Sequence, residues 1–222
     1  TYHYFDSDQA LFEFAAQKIA TGNVVGWFRG RMEFGPRALG NRSILGDARN
    51  PEMQKKLNLK IKFREGFRPF APSVLAEDTN NYFDISIDSP YMLFTAPVKQ
   101  ELRNPLPEDY ENMELMTRLY VQRSSVPAIT HCDFSARLQT VHKDTNPDYH
   151  SLINEFKRIT GLSIIVNTSF NVRGEPIVCN PDDAFRCFMR TDMDILVMQN
   201  YVFMKEDQKI DKKVFNDKFK PD

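Results

Sequence analysis

Residues 148–167, DYHSLINEFKRITGLSIIVN, constrain the fold more than any other stretch of the chain. Tyr149, Leu152, Ile153, Phe156 and Ile159 fall on one face at helical spacing, and Gly161 can close the helix. The apolar run LSIIVN follows at once. It lacks polar alternation, so it reads as a buried strand.

Other segments repeat these signals. Segment 8–21, DQALFEFAAQKIAT, places Leu11, Phe14, Ala15 and Ile19 at helical spacing, with Ser7 or Asp8 as cap and Gly22 as stop. NVVGWF reads as a buried strand and SILGD as a short one. NPEMQKKLNLKI predicts a helix with Asn50 as cap and Pro51 in its first position. NPDDAFRCFMRT predicts another, with Asn180, Pro181 and two aspartates at its positive end. FRPFAPSVLA carries two prolines and is expected as an edge strand or a loop entering one. SPYMLFTAPV reads as a strand, and AITHCD with ARLQTV as a hairpin or two strands around a turn. DILVMQ and YVFMK read as closing strands, and residues 99–125 as a long surface excursion. Helices and strands mix without strict alternation, which predicts an α/β or α+β domain around one largely mixed sheet. The expected division is a domain over residues 1–204 and a charged tail over 205–222.

A chain of 222 residues with 41% hydrophobic content can build its own core without staples. Its formal net charge of −1 argues against a general nucleic-acid or membrane binder. The N-terminus has no signal-peptide pattern and no initiator Met, so a piece of a longer protein is expected. The cysteines, Cys132, Cys179 and Cys187, are odd in number and lack metal-ligand spacing, which points to a reducing, cytoplasmic compartment. Cys132 is expected as a small buried hydrophobe between strand residues. No His-x₃-His pair exists, so no metal site is expected from this chain.

Basic residues nevertheless gather in irregular segments. GRMEFGPRALGNRSIL holds Arg31, Arg37 and Arg42, with Arg29 just before it. KFREGFRPFAPS holds Lys62, Arg64 and Arg68. THCDFSARLQTV offers His131, Asp133, Arg137 and Gln139, and IIVNTSFNVRGEP offers Asn167, Thr168, Ser169, Asn171 and Arg173. Arg presents a planar fork that fits phosphate oxygens, and Lys supplies a point charge. Asn, Thr and Ser add hydrogen bonds without charge, which suits a small polar group beside phosphates. Each arginine has an ordinary alternative as a solvated residue or as partner to Glu33, Asp47 or Glu65. The sequons NTS and NRS are set aside because the cysteines do not support secretion. No P-loop or dinucleotide-binding glycine motif is present. Residue chemistry alone leaves a phosphate-binding enzyme and a generic domain both open.

FGPRALGNRSIL, KFREGFRPFAPSVL, HCDFSARLQTV and TGLSIIVNTSFNVRGEPIV, in this order, resemble the C-terminal domain of the NodU/CmcH-type carbamoyltransferases. The resemblance runs from about residue 23 to about residue 200. It implies a YrdC-like domain that activates carbamoyl phosphate with ATP, accompanied by Mg2+, to a carbamoyl-adenylate. A separate N-terminal sugar-kinase-like domain then moves the carbamoyl group to a hydroxyl of a small acceptor. The signature Lys-x-Arg then Ser-x-Asn stands here as Lys62-Phe63-Arg64 and Ser169-Phe170-Asn171. The resemblance implies Lys62, Arg68, Arg137, Asn167 and Ser169 around the adenylate and carbamoyl groups, and Arg37 on phosphate. Arg64, Thr168 and Asn171 complete the implied set. Where the family reads Gly-Thr, this chain has Phe134-Ser135. Phe does not readily take a positive φ, so a differently shaped loop before Arg137 is expected. The rival readings are an RNA-binding module, a threonylcarbamoyl-adenylate-type synthase and a non-catalytic docking domain.

Overall fold

The computed structural model describes residues 1–209 of the 222-residue chain. The elements, in order, are β1 (His3–Tyr4), α1 (Asp8–Ala20), β2 (Val25–Phe28), β3 (Arg42–Asp47), α2 (Met53–Lys60), β4 (Ala71–Leu75) and β5 (Thr95–Pro97). They continue with α3 (Leu115–Leu119), β6 (Ser135–Arg137), β7 (Gln139–Val141), α4 (Pro147–Thr160), β8 (Ile164–Ser169), α5 (Pro181–Arg190), β9 (Ile195–Met198) and β10 (Tyr201–Met204). Eight strands form one mixed sheet in the order β1-β10-β9-β2-β3-β8-β4-β7, and β5 pairs with β6 apart from it. The pairs β2–β9 and β4–β7 are parallel, and the rest of the large sheet is antiparallel.

The uniformly apolar strands follow from covered faces. Val25, Trp27, Leu45, Ile165, Ile195 and Val197 point to one face and pack with Leu11, Ile19, Leu152 and Phe156 of α1 and α4. Phe28, Ile44, Ile164, Val166 and Leu196 point to the other, where Met53, Leu57 and Phe188 of α2 and α5 close the core. No side of these strands meets water, so no polar alternation is required.

The predicted caps hold at three helices. The Ser7 hydroxyl accepts from the Ala10 amide. At the start of α4, Asn146 supplies a cap that the helical spacing did not single out, accepting from the Tyr149 amide before Pro147. Gly161 ends α4 at φ 80°, and Asn180 with Asp183 forms a full capping box at α5.

Four expectations need correction. Asn50 and Pro51 do not cap and start α2. The Asn50 side chain accepts from the Glu52 amide in a preceding turn, and the helix begins at Met53. Pro72 lies inside β4, between β8 and β7, rather than on an edge strand. The Leu75 amide donates toward β8, to the Ser163 carbonyl, so by alternation the missing Pro72 amide faces β7. There β7 begins pairing only at Ser73, and no ladder bond is lost. The expected hairpin is absent. AITHCD is a 3₁₀ turn and a loop, and ARLQTV splits between β6 in the small sheet and β7 in the large one. The excursion 99–125 is not all surface. Arg123 is buried within it, donating to the carbonyls of Arg118, Leu119 and Val121 and to the Tyr110 hydroxyl. From residue 210 onward the expected charged tail lies outside the described residues. No helix among the described residues is long and apolar enough to cross a membrane.

Candidate functional site

The loop from Arg29 to Arg42 folds around one carboxylate. Glu33 Oε1 accepts from the amides of Leu39 at 2.6 Å, Asn41 at 2.8 Å and Arg42 at 3.3 Å. Gly40 sits at φ 108°, and a Cβ there would fall 2.1 Å from the Tyr149 ring. Only glycine meets both demands.

This folding sorts the arginines. Arg29 is buried and pairs with Asp8 at 2.8 Å and Asp148 at 2.5 Å. Arg42 is buried, donates to the carbonyls of Arg29, Gly30 and Asn41, and lies 3.5 Å from the Phe28 ring centroid. Both are structural. Asp47 answers Arg49 rather than this loop. Arg31 is exposed, and its carbonyl accepts from the Asn41 side-chain amide. Arg37 turns instead into a cleft of about 490 Å³.

Arg64, Arg137, Asn167, Thr168 and Ser169 share that cleft with Arg37. Arg137 comes from the end of β6 and has no ion pair among the described residues. Burial, and then the like charge of Arg37, lower its pKa. The Nε atoms of Arg37 and Arg137 are buried without a hydrogen-bond partner. Two half-buried cations facing one another are costly until an anion joins them. Among the described residues no carboxylate lines the cleft.

Asn167 supplies a different group. Its buried amide nitrogen donates toward the Ala38 carbonyl at 3.1 Å, Ser73 Oγ at 3.0 Å and Gln139 Oε1 at 3.0 Å. The Ala38 carbonyl can only accept, which fixes the amide orientation. Asn167 Oδ1 is thereby left buried with no partner. It offers an acceptor in the wall of a cationic cleft.

Lys62 follows α2 and is 5% exposed. Its ammonium donates to the Ser169 carbonyl, to Ser169 Oγ at 3.3 Å, and to the Asn171 carbonyl at 2.9 Å and Oδ1 at 2.8 Å. All four acceptors are neutral. Burial, aided by Arg64, pulls the Lys62 pKa down to about 7. Ser169 Oγ in turn donates to Asn171 Oδ1 at 2.7 Å. The Lys-x-Arg and Ser-x-Asn motifs thus meet through Lys62, and Phe63 between the two cations is held at φ 49°. Arg64 diverges from Lys62, with its Nε on Asn58 Oδ1 at 2.7 Å and its guanidinium over the Phe70 ring.

A second pocket of about 470 Å³ adjoins the first through Arg64 and Ser169. Lys62, Arg68, Asn171 and Arg173 line it. The resemblance implies Arg68 and Arg137 together around the adenylate and carbamoyl groups; the structure puts them in different, adjoining pockets. Arg68 is exposed and donates to Glu65 at 2.9 Å.

Two further expectations are corrected. Phe134 does take a positive φ, 62°, so the conformation a glycine would adopt is kept. The Arg103 guanidinium lies 5.2 Å from the Phe134 ring centroid. Asp133 braces this turn by accepting from the Ser135 amide and hydroxyl. Cys132 is exposed rather than buried, because it lies in this loop and not in a strand. Asn58 escaped sequence reasoning. It is buried in α2 and also donates to the carbonyls of Gly66 and Arg68, shaping the loop that carries three cations. A lone Asn in a helical segment carries no signal of that task.

The family model described as Carbamoyltransferase C-terminus matches residues 16–205. The chain is 59% identical over 207 residues to an uncharacterized protein of Synechocystis sp., covering 93% of this chain and 34% of that protein. It is 46% identical over 195 residues to nodulation protein NolNO of Sinorhizobium fredii, covering 86% of this chain and 26% of that one. Against the 3'-hydroxymethylcephem-O-carbamoyltransferase of Streptomyces clavuligerus, identity is 37% over 180 residues, covering 81% and 30%. The chain thus spans about a third or less of the length of these relatives. In fold it is similar to full-length HypF, solved in a phosphate- and nucleotide-bound form, with a TM-score of 0.51 and 15% identity over 89% of this chain and 22% of that one. The expected mixed sheet flanked by helices is therefore the observed YrdC-like fold, and by the family match over residues 16–205 the chain belongs to the carbamoyltransferases as their C-terminal region.

Proposed function

We propose that this chain activates carbamoyl phosphate with ATP to a carbamoyl-adenylate, for transfer to a hydroxyl of a small acceptor by a sugar-kinase-like N-terminal domain of the same full-length protein. The observation that carries the reading is the cleft itself. Three guanidinium groups and an orphaned amide oxygen converge where, among the described residues, no carboxylate answers them. HypF, a protein of this fold, has been solved with phosphate and nucleotide bound, which supports a nucleotide here.

Carbamoyl phosphate first loses its phosphate to water and becomes carbamate. A carbamate oxygen then bonds to the α-phosphorus of ATP, the α–β bridging bond breaks, and pyrophosphate leaves. Arg37, Arg64 and Arg137 bind the phosphate oxygens and offset the charge that develops during displacement. Asn167 Oδ1 accepts from the carbamoyl NH₂, and the Thr168 and Ser169 hydroxyls lie beside it in the same wall. Lys62 holds the ends of the Ser-x-Asn turn together, and a bound phosphate favours its charged form again. The protein's work is positioning and charge stabilisation, with no covalent enzyme intermediate.

Mg2+ would travel with the nucleotide. Among the described residues neither pocket wall carries a carboxylate, and no cluster of three metal-ligating side chains exists. The side chains here therefore do not fit a resident Mg2+ site, and no step is routed through the ion.

The test is exchange of labelled pyrophosphate into ATP. Exchange that requires carbamoyl phosphate and is abolished in Lys62→Ala is the expected result. Lys62→Ala exchanging at the wild-type rate would refute the role of Lys62. ATP bound without carbamoyl-phosphate-dependent exchange would refute the activity.

A further inference from the structure

Gln139 lines not the cleft but a separate pocket of about 540 Å³. Its amide nevertheless reaches the cleft wall from behind. Strand register builds the arrangement. Ala71 of β4 lies opposite Asn167 of β8, and Ser73, two residues on, lies opposite Gln139 of β7. Side chains two apart on a strand share a face, so Asn167, Ser73 and Gln139 meet across three neighbouring strands. All three are buried.

One backbone carbonyl sets the polarity of this cluster. Gln139 Nε2 donates to the Leu39 carbonyl at 2.9 Å, which turns Oε1 toward the neighbouring strands. There Oε1 accepts from the Ser73 hydroxyl at 2.6 Å. With its only proton committed to Gln139, Ser73 Oγ can do nothing but accept from Asn167. The Asn167 amide nitrogen therefore faces three acceptors, Ser73 Oγ, Gln139 Oε1 and the Ala38 carbonyl. Turning this amide over would set Oδ1 against all three. The lock leaves Oδ1 as an acceptor with no partner among the described residues.

We infer that Gln139 and Ser73 are positioning residues that set the specificity of the cleft, locking Asn167 so that the site takes a carbamoyl group and rejects its methyl isostere, an acetyl group. This rests on the proposed function, in which the carbamoyl group meets Asn167. A carbamoyl NH₂ donates to Asn167 Oδ1. An acetyl methyl has the same shape and no proton to give, so it leaves that oxygen buried and unpaired. A site built to hydrogen-bond a ligand group discriminates against an analogue lacking it more sharply than a mismatch of one methylene does. Gln139 and Ser73 act through Asn167, without touching the ligand themselves.

The experiment is calorimetric titration of the full chain with carbamoyl phosphate and with acetyl phosphate. Both bring the same phosphate to the arginines, so the ratio of affinities reads the other end alone. Wild type is expected to prefer carbamoyl phosphate about thirtyfold. Gln139→Leu should reduce that preference to about threefold, because Asn167 is then free to turn. Ser73→Ala is a smaller change that answers the question if Gln139→Leu does not fold, and it should reduce the preference to about tenfold. Gln139→Glu keeps an oxygen facing Asn167 and should retain most of the preference, since its added charge weakens both ligands alike. Asn167→Ala should abolish the preference, and adding Gln139→Leu to it should change nothing further, as required of a residue that acts through Asn167. Equal affinities in wild type, no binding of carbamoyl phosphate, or an unchanged preference in folded Gln139→Leu or Ser73→Ala would each overturn the inference. So would a Gln139→Glu variant that loses the preference as fully as Gln139→Leu. Failure of the parent reading looks different: the expected preferences with no carbamoyl-phosphate-dependent pyrophosphate exchange. Exchange by a wild type that binds both ligands equally would instead remove the specificity role and leave the activity standing.

Discussion

Replacing Lys62 by Met tests the electrostatics of the site without any ligand. Lys62 is buried among neutral acceptors, and its pKa falls from 10.5 to about 7. Between those values the unfolded chain holds a proton that the folded chain does not. Stability therefore rises with pH across that window and is lost as pH falls toward 7. From pH 7 to pH 9 the gain from this one group is about 2 kcal/mol, after allowing for half-protonation at the lower pH. Burial holds the Cys187 thiol up at about 12, so its contribution runs the other way above pH 9. Comparing wild type with Lys62→Met cancels the titrations that do not interact with Lys62; removing the nearby ammonium leaves the buried Cys187 thiol raised, so it stays protonated in both folded proteins at pH 9. The assay is urea unfolding of both proteins at pH 7 and pH 9. Wild type should gain about 2 kcal/mol more than Lys62→Met between the two pH values. Parallel pH profiles would show that Lys62 keeps an ordinary pKa and that its four neutral acceptors satisfy the full charge.

Arg137→Gln should raise the stability of the ligand-free protein by about 0.5 kcal/mol, because it relieves repulsion from Arg37. The same change should weaken ATP binding about tenfold by calorimetry, and a variant that lost stability would contradict the like-charge reading. Glu33→Ala removes the acceptor of three loop amides and should cost about 2–3 kcal/mol in urea unfolding. It should also loosen the perch of Arg37, so ATP binding weakens although Glu33 touches no phosphate, and an unchanged ATP affinity would uncouple loop and cleft. Phe134→Gly releases a positive φ at the expense of the Arg103 stack and should stabilise the protein by about 0.5 kcal/mol. A drop in the unfolding midpoint would show that the aromatic contact outweighs the backbone strain.

Most elements were legible because local rules govern them. Helical spacing, Ser7, Asn180 and Gly161 specify α1, α4 and α5 from neighbours no more than four residues away. The four basic segments were visible as well, since a cluster of arginine, lysine and small polar residues at strand ends is itself a composition signal. Local rules failed where distant partners decide. Arg29 was indistinguishable from Arg37 until folding brought Asp148, 119 residues away, against it. Pro72 argued for an edge, and only the register of β7 shows that its missing amide falls beyond the ladder. Phe134 argued for a changed loop, because intrinsic φ preference cannot anticipate a tertiary frame that imposes 62°.

By itself, then, the sequence determined the mixed α/β class, three well-capped helices, the covered strands and the family, since each depends on residue type and short spacing. Only the tertiary structure decided which cations point inward, that they divide between two pockets, and that Asn167 presents an unpaired acceptor. Those outcomes are set by strand order and long-range pairing, which bring residues 37, 64, 137 and 167 to one cleft. No spacing along the chain encodes that meeting.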